Sequence, residues 1–294
     1  MRVLVTGANG FVGPHVVRAL ERAGADVSGC GGPGEPGGLD IRDSEAVRAL
    51  VASTEPDAVV HLAGWASVGE SFRDPVRCFA VNAMGSLHVL EAVRKCAPEA
   101  RVLLVSSGEV YGAQSSGERL EEARAVAPFS PYAVSKAAAE QLAREYHRSY
   151  ALNVVIARAF NHIGPGQAPR FAIASFADQV RKIASGQHPA RLRVGNLEPI
   201  RDFTSVLDVA EAYVVLLRAG EAGESYNVCS GRAWSIRQAV EALLEKANVE
   251  ATLEVDPERV RPADIAWLVG DPSKLAALGW RARRHPLQGL LENL

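Results

Sequence analysis

The 294-residue sequence lacks a long apolar run, a surplus of either charge and any cysteine-rich segment. No apolar stretch reaches the ~20 residues that cross a bilayer, and MRVLVTG opens the sequence without a secretory-leader pattern. The expectation is a cytoplasmic protein with no membrane partner. Lys and Arg total 32 against 34 Asp and Glu, a formal net charge of −2. That balance argues against nucleic acid as a partner, because a sequence-independent binder needs a basic surplus against phosphate. Cys30, Cys78, Cys96 and Cys229 lie far apart with no metal-spaced pair, so scattered thiols in a reducing compartment are expected, with no metal site. What is present is ordinary for a globular chain: 48% hydrophobic and 22% charged residues, enough to bury a large core without disulfides. Glycine is plentiful at 26, and its placement carries the reading.

Short β-branched runs alternate with helical stretches. Residues 2–6, 25–29, 58–62, 102–106 and 153–157 read as strands, with a further short strand ahead of Asp40. Helical patterns lie near 11–23, 75–95 and 132–149. Strands apolar throughout, with helices between them, predict an α/β fold: a doubly wound parallel Rossmann sheet. After residue 165 the rhythm changes, with helices near 171–185 and 235–247 and a tail rich in Arg, Pro and Trp. This reads as a smaller mixed α/β C-terminal substrate domain. The expected division is 1–165 with 203–232 for dinucleotide binding, and 166–202 with 233–294 for the substrate.

Thr6-Gly7-Ala8-Asn9-Gly10-Phe11-Val12-Gly13 follows a strand and opens a helix. Glycines there allow a tight turn and close backbone approach to a pyrophosphate, and a helix N-terminus supplies amide donors. Gly7, Asn9, Gly10, Phe11, Val12 and Gly13 are therefore the expected cofactor cradle. An acid about twenty residues further on normally binds the 2′-hydroxyl of NAD. The end of the second strand instead offers Ser28-Gly29-Cys30-Gly31, with neither acid nor Arg. That absence favours NADPH mildly and leaves NADH possible. Asp40 and Ile41, after the third short strand, would edge the adenine; Leu62, Ala63 and Gly64 would lie beneath the middle of the cofactor.

Tyr132-Ala-Val-Ser-Lys136 puts a phenol and an ammonium on one helix face. Such an ammonium is expected to lower the phenol's pKa from about 10. Ser107 ends an apolar strand, where doubly wound sheets bind ligands, and could donate to the oxygen that Tyr132 protonates. His61, inside an apolar strand, reads as a core residue. Trp65 could shape a substrate pocket or simply pack, and Trp234, Trp267 and Trp280 read as core.

These pieces together resemble the extended short-chain dehydrogenase/reductases, a family of nucleotide-sugar epimerases, dehydratases and reductases. The likeness runs over essentially the whole chain, through TGANGFVG, HLAG, SSGEVYG, YAVSK, RAFNHIGPGQ, RDFTSVLDV, YNVCSG and VRPADIAWLVGDPSKLAALGW. FNHIGPGQ, the RDF block and VRPAD…GD…GW resemble its GDP-mannose branch in particular. The resemblance implies an NAD(P)-dependent oxidoreductase that reduces the C4 ketone of a GDP-linked 4-keto-6-deoxy sugar. Ser107, Tyr132 and Lys136 would be catalytic, with Lys136 also on the nicotinamide ribose; Asn161 would touch the sugar or its phosphates, and Arg201 and Arg261 the diphosphate. Glu109 stands where 4,6-dehydratases carry the base for C5, which keeps a dehydratase or epimerase open as the alternative. TGANGFVG in place of TGxxGQDG argues against the dehydratase. A non-catalytic nucleotide-binding regulator is a third reading, opposed by the intact trio. The family also implies a homodimer through the helices near 75–95 and 132–149.

Overall fold

The computed structural model describes residues 1–35, 37–113, 117–259 and 264–287. The first half runs β1 (Arg2–Thr6), α1 (Gly13–Arg22), β2 (Asp26–Cys30), α2 (Ser44–Thr54), β3 (Ala58–His61), α3 (Val68–Ser71), α4 (Pro75–Phe79), α5 (Gly85–Cys96), β4 (Arg101–Ser107) and α6 (Pro131–Tyr150). The second runs β5 (Val154–Ala159), β6 (Asn161–Ile163), α7 (Ala172–Ala184), β7 (Arg191–Val194), β8 (Ile200–Ser205), α8 (Val206–Ala219) and β9 (Ser225–Val228). It closes with β10 (Ala233–Ser235), α9 (Ile236–Ala247), β11 (Thr252–Val255), β12 (Trp267–Leu268) and α10 (Ser273–Ala277).

Six strands form one sheet in the order β2-β1-β3-β4-β5-β9, every pair parallel. Both faces are covered, which is why these strands are apolar at consecutive positions rather than alternate ones. One face packs Val16 and Leu20 of α1 with Val209, Tyr213 and Leu216 of α8. The other packs Val47 and Val51 of α2 with Val89, Leu90 and Val93 of α5 and Ala139 and Ala143 of α6. The strand expected before Asp40 does not form. Gly34 and Gly37 turn the chain with φ of 89° and 66°, a conformation open to glycine and hostile to a strand. The sheet order reverses direction at β1 and β3, leaving the crevice where such folds bind ligands.

The helix expected near 75–95 is not regular. Ala80–Met84 forms a π-helical turn between α4 and α5, an insertion that costs helical regularity and is frequent at functional sites. Beyond the main sheet, β8 pairs β6 and β12 in parallel and β10 antiparallel, and β7 pairs β11 in parallel. A separate core under α7 and α9 holds Phe176, Val180, Leu192, Phe203, Val240 and Leu243. Buried acids tie the later segments down. Asp202 accepts from the Ser230 and Gly231 amides at 2.8 and 2.7 Å, and Asp208 from the Arg283 and Arg284 amides at 3.0 and 2.8 Å. Both acids of the RDFTSVLDV block thus act as staples. Trp280 is buried as expected, donating to the Asp208 carbonyl at 3.0 Å; Trp234 and Trp267 are only partly buried.

Candidate active site

The turn after β1 has the form an anion requires. Gly7 has φ of 74°, and a Cβ on it would fall 2.7 Å from the Ala63 amide nitrogen. A Cβ on Gly13 would fall 2.1 Å from the Ala8 carbonyl oxygen, so only glycine lets α1 start this close to β1. No side chain caps the N-terminus of α1, whose amides and positive dipole end therefore suit a phosphate group. This cradle fits the pyrophosphate of a dinucleotide. Phe11 stacks on His162 with ring centroids 5.9 Å apart and planes 4° apart, and Val12 packs into the core beneath. Asn9 points its amide to Glu35 at 2.7 Å. The other expected cofactor residues separate. Leu62, Ala63 and Gly64 do follow β3 against this turn, Leu62 donating its amide to the Thr6 carbonyl at 3.1 Å. Asp40 instead holds Arg42 through paired hydrogen bonds, and Ile41 is buried, with its carbonyl taken by His88.

A chain of buried hydrogen bonds runs from this turn to α6. Thr6 Oγ1 meets His61 Nδ1 at 2.7 Å, His61 Nε2 meets Ser86 Oγ at 3.2 Å, and Ser86 donates to the Asn82 carbonyl at 2.6 Å. Burial, aided by the Lys136 charge, lowers the His61 pKa to about 3, so the ring is neutral and structural, as its apolar strand suggested. Asn82 sits in the π turn. Its Oδ1 accepts from the Trp65 amide at 2.7 Å and its Nδ2 donates to Ser135 Oγ at 2.9 Å. Ser135 in turn donates to the Tyr132 carbonyl at 2.7 Å. Asn82 was missed in the sequence; an Asn inside an otherwise apolar helical pattern was the available signal.

Ser107, Tyr132 and Lys136 are brought together. Ser107 is the last residue of β4. Ser130 caps α6 by accepting from the Ala133 amide at 3.1 Å, and Pro131 occupies the first turn, which fixes where the helix begins. Tyr132 is then held in the first turn with Lys136 one turn deeper. The Tyr132 and Ser107 hydroxyls interact, and Glu109 places negative charge nearby. Lys136 is buried and donates to the Val105 carbonyl at 2.9 Å. The expected lowering of the phenol's pKa is not found. Burial, the dominant cause, pushes Tyr132 up to about 12, the Ser107 bond only partly opposing it. Burial likewise brings Lys136 down to about 8. Desolvation penalises the charged form of both groups, and the ammonium is spent on a carbonyl rather than on the phenol. Glu109 lies in a 3-10 turn (Gly108–Tyr111), its amide donating to Ser107 Oγ at 3.2 Å.

A buried ionic cluster underlies the trio. Arg158 Nη2 meets Glu140 Oε2 at 2.8 Å, and Ser106, next to Ser107, donates to Glu140 Oε1 at 2.6 Å. Arg158 Nη1 donates to the Tyr111 hydroxyl at 2.9 Å, which donates to Asn227 Oδ1 at 2.7 Å. Glu140 is one turn beyond Lys136, so a single guanidinium joins β4, the Glu109 turn, α6 and β9.

On the substrate side, Asn161 has its Oδ1 buried with no partner among the described residues, as do the Trp65 Nε1 and the Gln167 Oε1. A buried acceptor left unmade is costly unless a ligand or water completes it, so Asn161 offers an open acceptor there. Arg77 lies over the Trp65 ring at 5.3 Å. Arg201 is not open as expected: its guanidinium holds Asp264 at 2.7 Å and the Ile265 carbonyl at 2.6 Å. Arg261 lies outside the described residues.

Comparison with known proteins agrees with this geometry. The family described as GDP-mannose 4,6 dehydratase matches residues 38–292. The GDP-6-deoxy-D-mannose reductase of Pseudomonas aeruginosa is 40% identical over 95% of this chain and 91% of its own. The solved structure of RMD from Pseudomonas aeruginosa complexed with NADPH superposes with a TM-score of 0.89 at 38% identity, covering 99% of this chain and 96% of that one. The UDP-glucose 4-epimerase of Thermus thermophilus, in complex with NAD, gives a TM-score of 0.89 at 35% identity, covering 99% and 97%. The family match over residues 38–292 and the 40% identity over 95% of the chain make this chain a member of the GDP-mannose 4,6 dehydratase family within the extended short-chain dehydrogenase/reductases.

Proposed function

We propose that the chain reduces the C4 ketone of a GDP-4-keto-6-deoxy sugar, giving GDP-D-rhamnose or its C4 epimer, with NADPH as reductant and NADH as a possible substitute. The observation that carries this reading is the contact between the Tyr132 and Ser107 hydroxyls, which sets a half-buried, protonated phenol beside a second hydroxyl at the end of β4. A ketone reduction needs a proton donor at the oxygen, and a phenol held well above neutral pH is loaded for that task. The reduced nicotinamide, when bound, supplies the hydride for C4. Ser107 donates to the ketone oxygen and keeps it beside Tyr132, whose proton passes to that oxygen as charge develops. Lys136, positively charged below about pH 8, would stabilise that charge and bind the nicotinamide ribose, exchanging the Val105 carbonyl for it. Asn161 offers its free oxygen to a sugar hydroxyl. Arg201 and Arg261 are proposed for the diphosphate, Arg201 by exchanging Asp264 for a phosphate oxygen.

Glu109 favours a second reading, GDP-mannose 4,6-dehydratase chemistry, because its charge is felt at Tyr132. The two differ in cofactor balance. Purified protein given GDP-4-keto-6-deoxymannose and NADPH should lose the near-ultraviolet absorbance of reduced nicotinamide, and Tyr132→Phe should lose about 100-fold or more of that rate. No consumption with either cofactor would overturn the reductase reading.

The assembly is proposed as a homodimer. Val76 is 79% exposed, and Phe79, Met84 and Val134 are exposed beside it on the expected helices, an apolar set of the kind that marks an interface. A reducing cytoplasmic location is supported by four cysteines that are all free thiols. The two-domain division is likewise a proposal: β7, β10, β11 and β12 of the substrate segments lie outside the six-stranded sheet, as do β6 and β8, which fall within or across the dinucleotide segments.

A further inference from the structure

We propose that the stacked rings of Phe11 and His162 couple the two ligand sites: a dinucleotide seated in the glycine turn holds Asn161 in place for the sugar and so tightens the binding of a nucleotide sugar. The inference rests on the proposed reductase reading. The chain leaves the six-stranded sheet at Ala159 and joins β8 at Asn161, which is paired with Phe203. His162 follows, paired with Thr204. Its ring lies flat against Phe11 of the glycine turn, 5.9 Å away with the planes 4° apart. Phe11 also meets His15 of α1 edge-on, at 6.1 Å and 77°, and His15 Nε2 lies 3.3 Å from the Pro165 carbonyl. The turn and the start of α1 therefore hold residues 161–165 at two points, where the chain passes from one sheet to the other.

One side of this joint is fixed and the other is not. His162 Nδ1 donates to the Phe160 carbonyl at 2.9 Å, and the His162 carbonyl accepts from Gln167 Nε2 at 3.1 Å. Burial lowers the His162 pKa, so the stack joins two neutral rings. On the turn, the Phe11 amide donates to no described residue, and no side chain caps α1. A pyrophosphate that takes up these amides would hold the Phe11 backbone, and the stack would pass that restraint to His162. Asn161, one residue away, has a buried Oδ1 without a partner among the described residues. An acceptor already held in place has less freedom to lose when the sugar arrives, and the saving appears as cooperativity between the two ligands.

The test is binding without turnover. GDP-mannose has no ketone to reduce, so it can be titrated by calorimetry into the full chain, alone and saturated with NADPH. The same pair of titrations is made on Phe11→Ala, His162→Gln and His162→Phe. NADPH should tighten GDP-mannose by about fivefold or more in the unaltered chain. That gain should shrink to less than about twofold in Phe11→Ala and His162→Gln, which lose the stack. His162→Phe keeps a ring without the nitrogens and should retain the gain. A gain below about twofold in the unaltered chain overturns the proposal. So does a full gain in Phe11→Ala or His162→Gln, or an equal weakening with and without NADPH, which is what a merely structural role would give. Failure of the unaltered chain to bind NADPH or GDP-mannose at all would instead overturn the reductase reading, and this inference with it.

Discussion

Burial drives both Tyr132 and Lys136 toward their neutral forms, with opposite consequences for the reactivity proposed for them. Tyr132, pushed up to about 12, remains a proton donor throughout the working range. Lys136, brought down to about 8, loses its charge first. The reductive kcat/KM should therefore be level up to about pH 8 and then fall, close to tenfold per unit, as measured in a pH–rate profile. The same shift acts on stability. Lys136 releases its proton at about 8 when folded, against 10.5 in an exposed chain, so its charge costs stability in full below pH 8. That cost is relieved between 8 and 10.5. Lys136→Met should melt higher at pH 7, by about 1–3 kcal/mol of stability, while losing nearly all turnover; a lower melting point would contradict this. The Tyr132–Lys136 pair is legible in the sequence because the two lie four residues apart on one helix, and Ser107 because it ends an apolar strand. The sense of the Tyr132 shift was not, because it depends on how much protein closes over the phenol.

At the scale of elements, the site depends on contacts between segments far apart in sequence. Asn82 reaches Trp65 and Ser135 only because the π turn rotates it out of helical register. Asn82→Ala should leave the fold intact and lower kcat more than it raises KM, by about tenfold, since the helix bearing Tyr132 loses its tie. The Arg158–Glu140 pair is more costly to break. Arg158→Met would leave Glu140 buried at 1% exposure without its partner, a loss of about 3–5 kcal/mol measurable by denaturant unfolding. His61 adds a pH signature. Its pKa falls from 6.5 to about 3 on folding, so its contribution is full above pH 6.5 and is lost as pH falls toward 3. Melting temperature should fall below pH 6.5, and more shallowly in His61→Gln. The glycine turn and the parallel strands could be read from local pattern. The missing strand before Asp40, the π turn and the Arg158 cluster could not, since each is decided by packing partners dozens of residues away.

For the whole molecule, the near-neutral net charge of −2 is compatible with binding a doubly charged diphosphate, because an anion needs only local donors, such as the uncapped N-terminus of α1. The later segments of the chain are pinned by buried acids such as Asp202 and Asp208, whose motif was visible although their stapling role was not. If the exposed apolar set on α4, the π turn and α6 forms the dimer, Val76→Asp should shift the mass seen by light scattering to that of one chain. The central claim, reduction at C4, is tested most directly by following the label from NADPH carrying deuterium at the transferred position, with GDP-4-keto-6-deoxymannose as substrate. The account predicts one deuterium at C4 of the product for each NADPH consumed, and no conversion of GDP-mannose. Loss of water from GDP-mannose with no net cofactor consumption, and no deuterium at C4, would contradict it.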